Sequence, residues 1–420
     1  MANLKSLAKD TAIYGLSSIA ARFVNYLLVP IQTTKFNAAG GQYGIITNVY
    51  AYVALLIVLL TYGMETTFFR FMSKEGEDPN KVYATTLKMV GTTSVIFMAI
   101  ILLFNQPIAN FLGYADHPEY ITIMYMTVAI DAFAAIPFAY LRCKHRPIKF
   151  AVLKILNISL NIVLNLLYLI ILPGLKLNLF GIYDAHFTLD VVWVFYINLI
   201  CTIITLLLLW KELYGIRYSF DKSTCKRMLS YTFPLLIMGL AGQLNQCASQ
   251  IIFPYVYNGT AEEARTQLGI YGACIKIAMI MVMITQAFRY AYEPFVFGKS
   301  KDRDNKDTYA KAMKFYVIFT LLAFLTVMGY MDVLRHVVGR SYWDGLEIVP
   351  IVMAAEIMFG IFFNLSFWYK LTDRTIWGAY FSGVGAVVLI AMNILLIPSF
   401  SYWACAWAGF VSYAVSMIIS

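Results

Sequence analysis

The run SSIAARFVNYLLVPI, residues 17–31, is apolar enough to cross a bilayer, yet it carries Arg22 near its middle and Asn25 one turn further on. An ionisable group at that depth is costly, so it faces protein or water and is a functional candidate by default. Asp131, Glu356 and Lys276 lie inside other apolar runs and qualify in the same way. A guanidinium offers a planar set of donors that fits phosphate oxygens, and an ammonium supplies a point charge. Arg22 and Lys276 could therefore hold an anionic head group, and the two carboxylates could bind a coupling ion, H+ or Na+. The competing readings are structural: Arg22 paired with Asp131 or Glu356, the carboxylates as ties between helices, and Lys276 snorkelling to the surface. Arg70 closes the segment YGMETTFFRF together with Glu65, as a further cation for the head group or as a boundary charge.

These residues are carried by a chain suited to lipid. Its 420 residues are 60% hydrophobic and 13% charged, with a mean hydropathy of +0.70. A soluble domain could not cover such a surface with polar groups, so this is the composition of a polytopic membrane protein. Lys5 and Lys9 precede the first run, which lacks a small-residue cleavage site and reads as a retained helix. Runs long enough to span occur at about 11–31, 44–64, 85–105, 119–141, 148–172, 190–210, 231–256, 268–290, 309–330, 346–368, 375–397 and 403–420. The last reaches Ser420 without a polar tail, and further helices are expected to be missing beyond it if the chain is truncated.

Lysine and arginine placement orients the chain. With the N-terminus in the cytoplasm, the outer loops hold only Lys35, Lys176, Arg265, Arg335 and Arg340. The inner loops hold Arg142, Lys144, Arg146 and Lys149, then Lys211, Arg217, Lys222, Lys226 and Arg227, then Lys299, Lys301, Arg303 and Lys306. The net charge of +9 is thus topology charge facing anionic lipid, not a nucleic-acid footprint.

The chain also repeats. Gly15 and Pro30 match Gly239 and Pro254 at one offset; Gly44 and Asp131 match Gly269 and Glu356 at an offset one residue longer. Within the first and seventh spans, Gly15, Ser18, Arg22 and Asn25 correspond to Gly239, Gly242, Gln246 and Ser249, a small-and-polar stripe on one helix face. Two halves are expected, 1–215 and 216–420, each of six spans and related by an axis along the membrane normal. Pro30 and Pro254 stand at the outer ends of their spans, as gating bends or as simple helix stops. Asn157, Asn161 and Asn165, four apart, share a face of the fifth span and suit hydrogen bonds to a neighbouring helix or contacts to a sugar. Lys154 is near enough to the inner end of that span to snorkel.

Enzyme chemistry finds little support. Six cysteines show no paired spacing and four histidines are scattered, so neither a disulfide framework nor a metal site is expected. The longest outer loop, 173–189, offers only Lys176, Asp184 and His186 where a membrane-embedded polymerase would need clustered charged residues. A scaffold without transport would gain little from charges at membrane depth.

The opening LKSLAKDTAIYGLSSIAARFVNYLLVPIQTTKF resembles the start of bacterial polysaccharide flippases of the multidrug/oligosaccharidyl-lipid/polysaccharide (MOP) exporter superfamily. YGIITNVYAY, TYGMETTFFRF and the closing YWACAWAGFVSYAVSMII are similar too. The resemblance implies an all-α polytopic membrane protein with two pseudo-symmetric six-helix bundles around a central cavity, placed in the bacterial inner membrane. It implies alternating access and an undecaprenyl-pyrophosphate-linked oligosaccharide as substrate, moved from the inner to the outer leaflet, with membrane lipids and a glycan polymerase complex as partners. In related flippases cationic residues on the first, second and eighth spans meet the pyrophosphate; Arg22, Arg70 and Lys276 match by helix and depth. Asn25 and Gln246 extend the cavity set, Asp131 and Glu356 are candidates for ion coupling, and no cofactor is implied. The rival is a MATE-type cation-coupled multidrug antiporter, which favours acidic residues on the first span, where this chain has Arg22.

Overall fold

The computed structural model describes residues 26–74, 76–175, 189–217, 219–298, 305–371 and 375–420. Among these the ordered elements are helices throughout. In chain order the principal ones are α1 (Leu28–Lys35), α2 (Gln42–Thr61), α3 (Pro79–Leu103), α4 (Pro118–Cys143), α5 (Pro147–Leu166) and α6 (Val192–Leu208). They continue as α7 (Lys222–Val256), α8 (Ala261–Gly298), α9 (Asn305–Gly329), α10 (Val349–Leu371), α11 (Thr375–Phe400) and α12 (Tyr402–Ile419). The expected spans from 44 onward each coincide with a helix, whereas the first, 11–31, meets α1 only at residues 28–31 and otherwise lies outside the described residues. Among the described residues nine helices are long and apolar enough to cross a membrane, and α6 is a shorter apolar helix.

Local chemistry fixes where these helices begin. Proline opens α3, α4 and α5, where its missing N–H costs nothing. Asp78 caps α3 by accepting from the Asn80 N–H at 2.9 Å. Thr260 and Glu263 form a reciprocal capping box before α8, the Thr260 N–H donating to Glu263 at 3.0 Å and the Glu263 N–H to Thr260 Oγ1 at 3.2 Å. Asp221 performs the same task for α7: it accepts from Thr224 Oγ1 at 2.6 Å and from the Ser223 N–H at 3.0 Å. Those bonds, the Thr224 hydroxyl first, hold its carboxyl below the usual carboxylate range. Because capped polar turns extend the helices past the apolar stretches, α7 starts nine residues and α8 seven residues before the expected spans at 231 and 268.

The chain divides into two compact units. The first holds Val49–Gln243, and the second holds Val29–Asn48 with Leu244–Ser420, so the division runs inside α2 and α7. In the first unit, Met64, Phe68, Val82, Leu87, Ile136 and Met228 build a core at one end of α3, α4 and α7. Tyr83 stacks on Tyr140 with ring centroids 4.0 Å apart, and its hydroxyl donates to the Glu212 carbonyl at 2.8 Å. Large side chains such as Val95, Leu103, Val163 and Leu207 are exposed, as a lipid-facing surface requires.

The helix of α2 breaks at its C-terminal end. Tyr62 has φ 34° and Gly63 φ 73°, and a separate helix, Met64–Met72, follows. A Cβ on Gly63 would stand 2.9 Å from Leu235 Cβ, so glycine permits both the left-handed turn and the close approach of α7. The Tyr62 carbonyl freed by the break accepts from Thr232 Oγ1.

Several ion pairs lie at this end, among them Arg227 with Glu77 at 2.9 Å. Arg142 pairs with Glu65, and Lys149 donates to both carboxylate oxygens of Glu212, at 2.6 and 2.7 Å. Glu212 is only 5% exposed, so Lys149 is the partner that compensates its buried carboxylate. We expect Lys149→Met to destabilise the protein by about 2–3 kcal/mol, read as a lower thermal midpoint, with Glu212→Gln in the same chain restoring most of the loss. A midpoint unchanged by Lys149→Met would show that water, not Lys149, satisfies the carboxylate.

In the second unit α2 begins against α8. Glycine at 44 and 269 lets the backbones approach: a Cβ on Gly269 would lie 3.0 Å from the Gly44 nitrogen, and one on Gly44 would overlap the Arg265 carbonyl. The two glycines matched by the internal repeat are therefore neighbours in space. Gly272 continues the contact, since a Cβ there would overlap Thr47.

Candidate functional site

The interior of the first unit carries a continuous polar seam at membrane depth. It starts on α5, where Asn157, Asn161 and Asn165 recur every four residues and so face one way. Asn157 Nδ2 donates to Thr205 Oγ1 at 2.7 Å and to the Cys201 carbonyl at 3.2 Å on α6. Asn161 Nδ2 donates to Asn198 Oδ1 at 3.0 Å, and Asn198 Nδ2 reaches the Tyr50 hydroxyl of α2 at 2.6 Å. Asn165 Nδ2 turns back to Asn161, leaving its own buried Oδ1 without a partner. Of the two readings of the asparagine stripe, the interhelical one describes these bonds.

Asp131 of α4 belongs to the same seam. Thr202 of α6 lies beside it, and Tyr50 and Lys154 are within electrostatic reach. Asp131 sits at the edge of the seam, where the residue as a whole is exposed. Lys154 does not simply snorkel away. It lies within electrostatic reach of Asp131, Glu65 and Arg142, and its ammonium lies 4.3 Å from the Phe138 ring centroid. Asp131 and Lys154 make no direct ion pair within 4.0 Å among the described residues.

Sequence reading missed Tyr50, Asn198 and Thr202. The signal existed: Asn198, Thr202 and Thr205 are spaced i, i+4, i+7 in an otherwise apolar run, one polar face of α6.

The second unit places Glu356 on α10 among aromatic hydroxyls. Tyr271 of α8, Tyr316 of α9 and Tyr413 of α12 all feel its charge. Tyr316 shares a 2.9 Å hydrogen bond with Thr285, and the Tyr413 hydroxyl donates to the Asn245 carbonyl at 3.4 Å. Among the described residues Glu356 has no cationic partner. Lys276 is half-buried on α8 and shares the helix face of Gly269 and Gly272, at i, i+3, i+7, so it continues the face that meets α2. Lys276 and Glu356 do not pair.

The remaining candidates are dispersed. Gln246 is exposed on α7, and Arg70 is exposed on Met64–Met72 with its guanidinium carbon 4.1 Å from the Tyr231 ring centroid. Pro30 is the third residue of α1, and Pro254 the third from the end of α7. Arg22 and Asn25 lie outside the described residues.

The polysaccharide biosynthesis protein family matches residues 7–292, more than half of the chain. The chain belongs to that family. Its fold is that of MOP-superfamily transporters. An inward-facing multidrug resistance MATE family transporter of the MOP superfamily is 15% identical with a TM-score of 0.73, over 94% of this chain and 92% of that one. The lipid II flippase MurJ in an inward closed conformation is 13% identical with a TM-score of 0.74, over 96% of this chain and 86% of that one. The MATE multidrug transporter DinF-BH is 15% identical with a TM-score of 0.67, over 99% of this chain and 94% of that one. No curated protein matches the chain in sequence. Family membership and the apolar helices together make this a multi-pass membrane protein of polysaccharide biosynthesis.

Proposed function

We propose that the protein moves an undecaprenyl-pyrophosphate-linked oligosaccharide from the inner to the outer leaflet by alternating access, with the N-terminus on the cytoplasmic side. The observation that carries this reading is the polysaccharide biosynthesis match across residues 7–292. A pyrophosphate is a dense anionic group rich in acceptor oxygens. Arg22 and Lys276 supply charge and donors to it, with Arg70 receiving it at the inner end. Asn25 and Gln246 add neutral hydrogen bonds on the stripes of the first and seventh spans. Inside a partly dry cavity such contacts exceed their strength in water. In this reading Pro30 and Pro254 serve as bending points of the first and seventh spans during gating. The drug-antiporter alternative has no acidic residue on the first span beyond Asp10 to bind a cation.

Proteoliposomes loaded with a fluorescent undecaprenyl-pyrophosphate oligosaccharide test the reading. Protein-dependent arrival of the label in the opposite leaflet is expected. No movement of the glycolipid, with a cationic dye carried instead, would overturn it in favour of drug export.

In this proposal Asp131 and Glu356 couple transport to H+ or Na+. Asp131 sets an acidic group beside the Thr202 hydroxyl of α6 and within electrostatic reach of Tyr50 of α2, a setting suited to a proton or a small hard cation. Asp131→Asn is expected to slow gradient-driven transport about tenfold and to remove its response to an imposed pH or Na+ gradient. If Asp131→Asn and Glu356→Gln both transport normally at every pH and Na+ level, neither residue couples.

A further inference from the structure

A cavity of about 420 Å3 opens in the second unit where the end of α1 meets the segment before α10. Its volume falls in the range of small-ligand pockets. Thr34, Asn37, His336, Arg340, Ser341 and Trp343 line it. The two walls are fastened together, so the pocket is preformed. The Gly339 N–H donates to Thr33 Oγ1 at 2.9 Å, the Ala38 N–H to Ser341 Oγ at 3.1 Å, and the Tyr342 hydroxyl to the Phe36 carbonyl. Gly339 is needed here, because a Cβ would overlap the Thr33 carbonyl.

Trp343 organises the charges. Its Nε1 donates to the Arg335 and Val338 carbonyls at 3.0 and 3.2 Å, which fixes the ring. The Arg335 and Arg340 guanidinium carbons lie 4.8 and 5.9 Å from its centroid. Arg335 is already paired with Asp332 at 3.3 Å. Arg340 is exposed and has no carboxylate partner among the described residues. Both arginines are among the few cations that charge placement assigns to the outer face, so topology does not account for them.

One unpaired guanidinium thus stands beside two hydroxyls, an amide and an imidazole. That combination fits a ligand with one anionic group and several hydroxyls. We propose that this pocket binds a saccharide bearing a phosphate or carboxylate. The inference goes beyond the transport reading, and its test measures binding alone, so either can fail without the other.

The full chain in detergent micelles is titrated with glucose 1-phosphate, glucuronate, glucose and inorganic phosphate, followed by saturation-transfer NMR. Both acidic sugars are expected to bind at least about tenfold more tightly than glucose and than inorganic phosphate. Arg340→Ala should weaken them by about tenfold or more, with Arg340→Lys between, because lysine keeps the charge and loses the fork. An unchanged thermal midpoint in both variants establishes that the fold is intact, as expected for an exposed side chain. The proposal is overturned if no sugar binds or if glucose binds as well as the acidic sugars. Equal binding of inorganic phosphate, or no effect of Arg340→Ala, would also overturn it.

Discussion

Gly44→Ala is expected to lower the thermal midpoint of the purified protein sharply and to abolish transport, while Gly40→Ala leaves both near wild type. At position 44 an added methyl would overlap the carbonyl of Arg265, a backbone atom of α8 that cannot swing aside as a side chain would. At position 40 nothing lies within 4 Å and the backbone is one that alanine adopts. Overpacking of this kind costs roughly 3 kcal/mol when helix must move against helix. The two substitutions differ by four positions and add the same methyl, so a shared loss of helix entropy cannot separate them. If Gly44→Ala behaves as Gly40→Ala does, the close contact between α2 and α8 is not part of the stable protein.

Arg22→Ala should reduce glycolipid movement in proteoliposomes by about two orders of magnitude, and Arg22→Lys should keep a measurable part. A charge-assisted hydrogen bond contributes up to about 3 kcal/mol, which corresponds to roughly a hundredfold in rate if it is strongest in the transport barrier. Lysine preserves attraction to the pyrophosphate without the planar donor pair. The structural alternative makes a different forecast. Were Arg22 only the ion-pair partner of Asp131 or Glu356, Arg22→Ala would be rescued by Asp131→Asn or Glu356→Gln in the same chain, since the second change removes the carboxylate left alone. Full transport by Arg22→Ala alone would remove the residue from the head-group site.

The helices were the legible part of this chain. Twenty apolar residues in a row have one solution in lipid, so the expected runs and α2–α12 coincide in the described residues. Helix ends were less legible because hydropathy ignores caps; TAEE at the start of α8 carried the capping box in plain view, yet its first apolar turn came later. The glycines at 44 and 269 were visible as a repeat, but their contact was not, because a periodicity gives equivalence and says nothing of distance. Asp131 stood out by charge alone. Its neighbours Tyr50 and Thr202 did not, since a hydroxyl in an apolar helix costs little and draws no notice until a second helix is brought to it. The pocket beside Trp343 was beyond sequence reading, because its walls are some 300 residues apart, as in the Gly339 to Thr33 bond.

The break at Tyr62 and Gly63 has a mechanical consequence for the first unit. An unbroken helix transmits tilt along its whole length as a stiff lever. Here the apolar stretch from Val49 to Thr61 and the helix Met64–Met72 are two levers joined at a left-handed turn. The second is anchored by Glu65 to Arg142, and the joint itself by Thr232 to the Tyr62 carbonyl. Tilt of the long arm is therefore expected to be taken up as rotation at these two residues before it reaches the ion pair. Spin labels placed on either side of the joint should report reorientation of the long arm while the short arm keeps its angle.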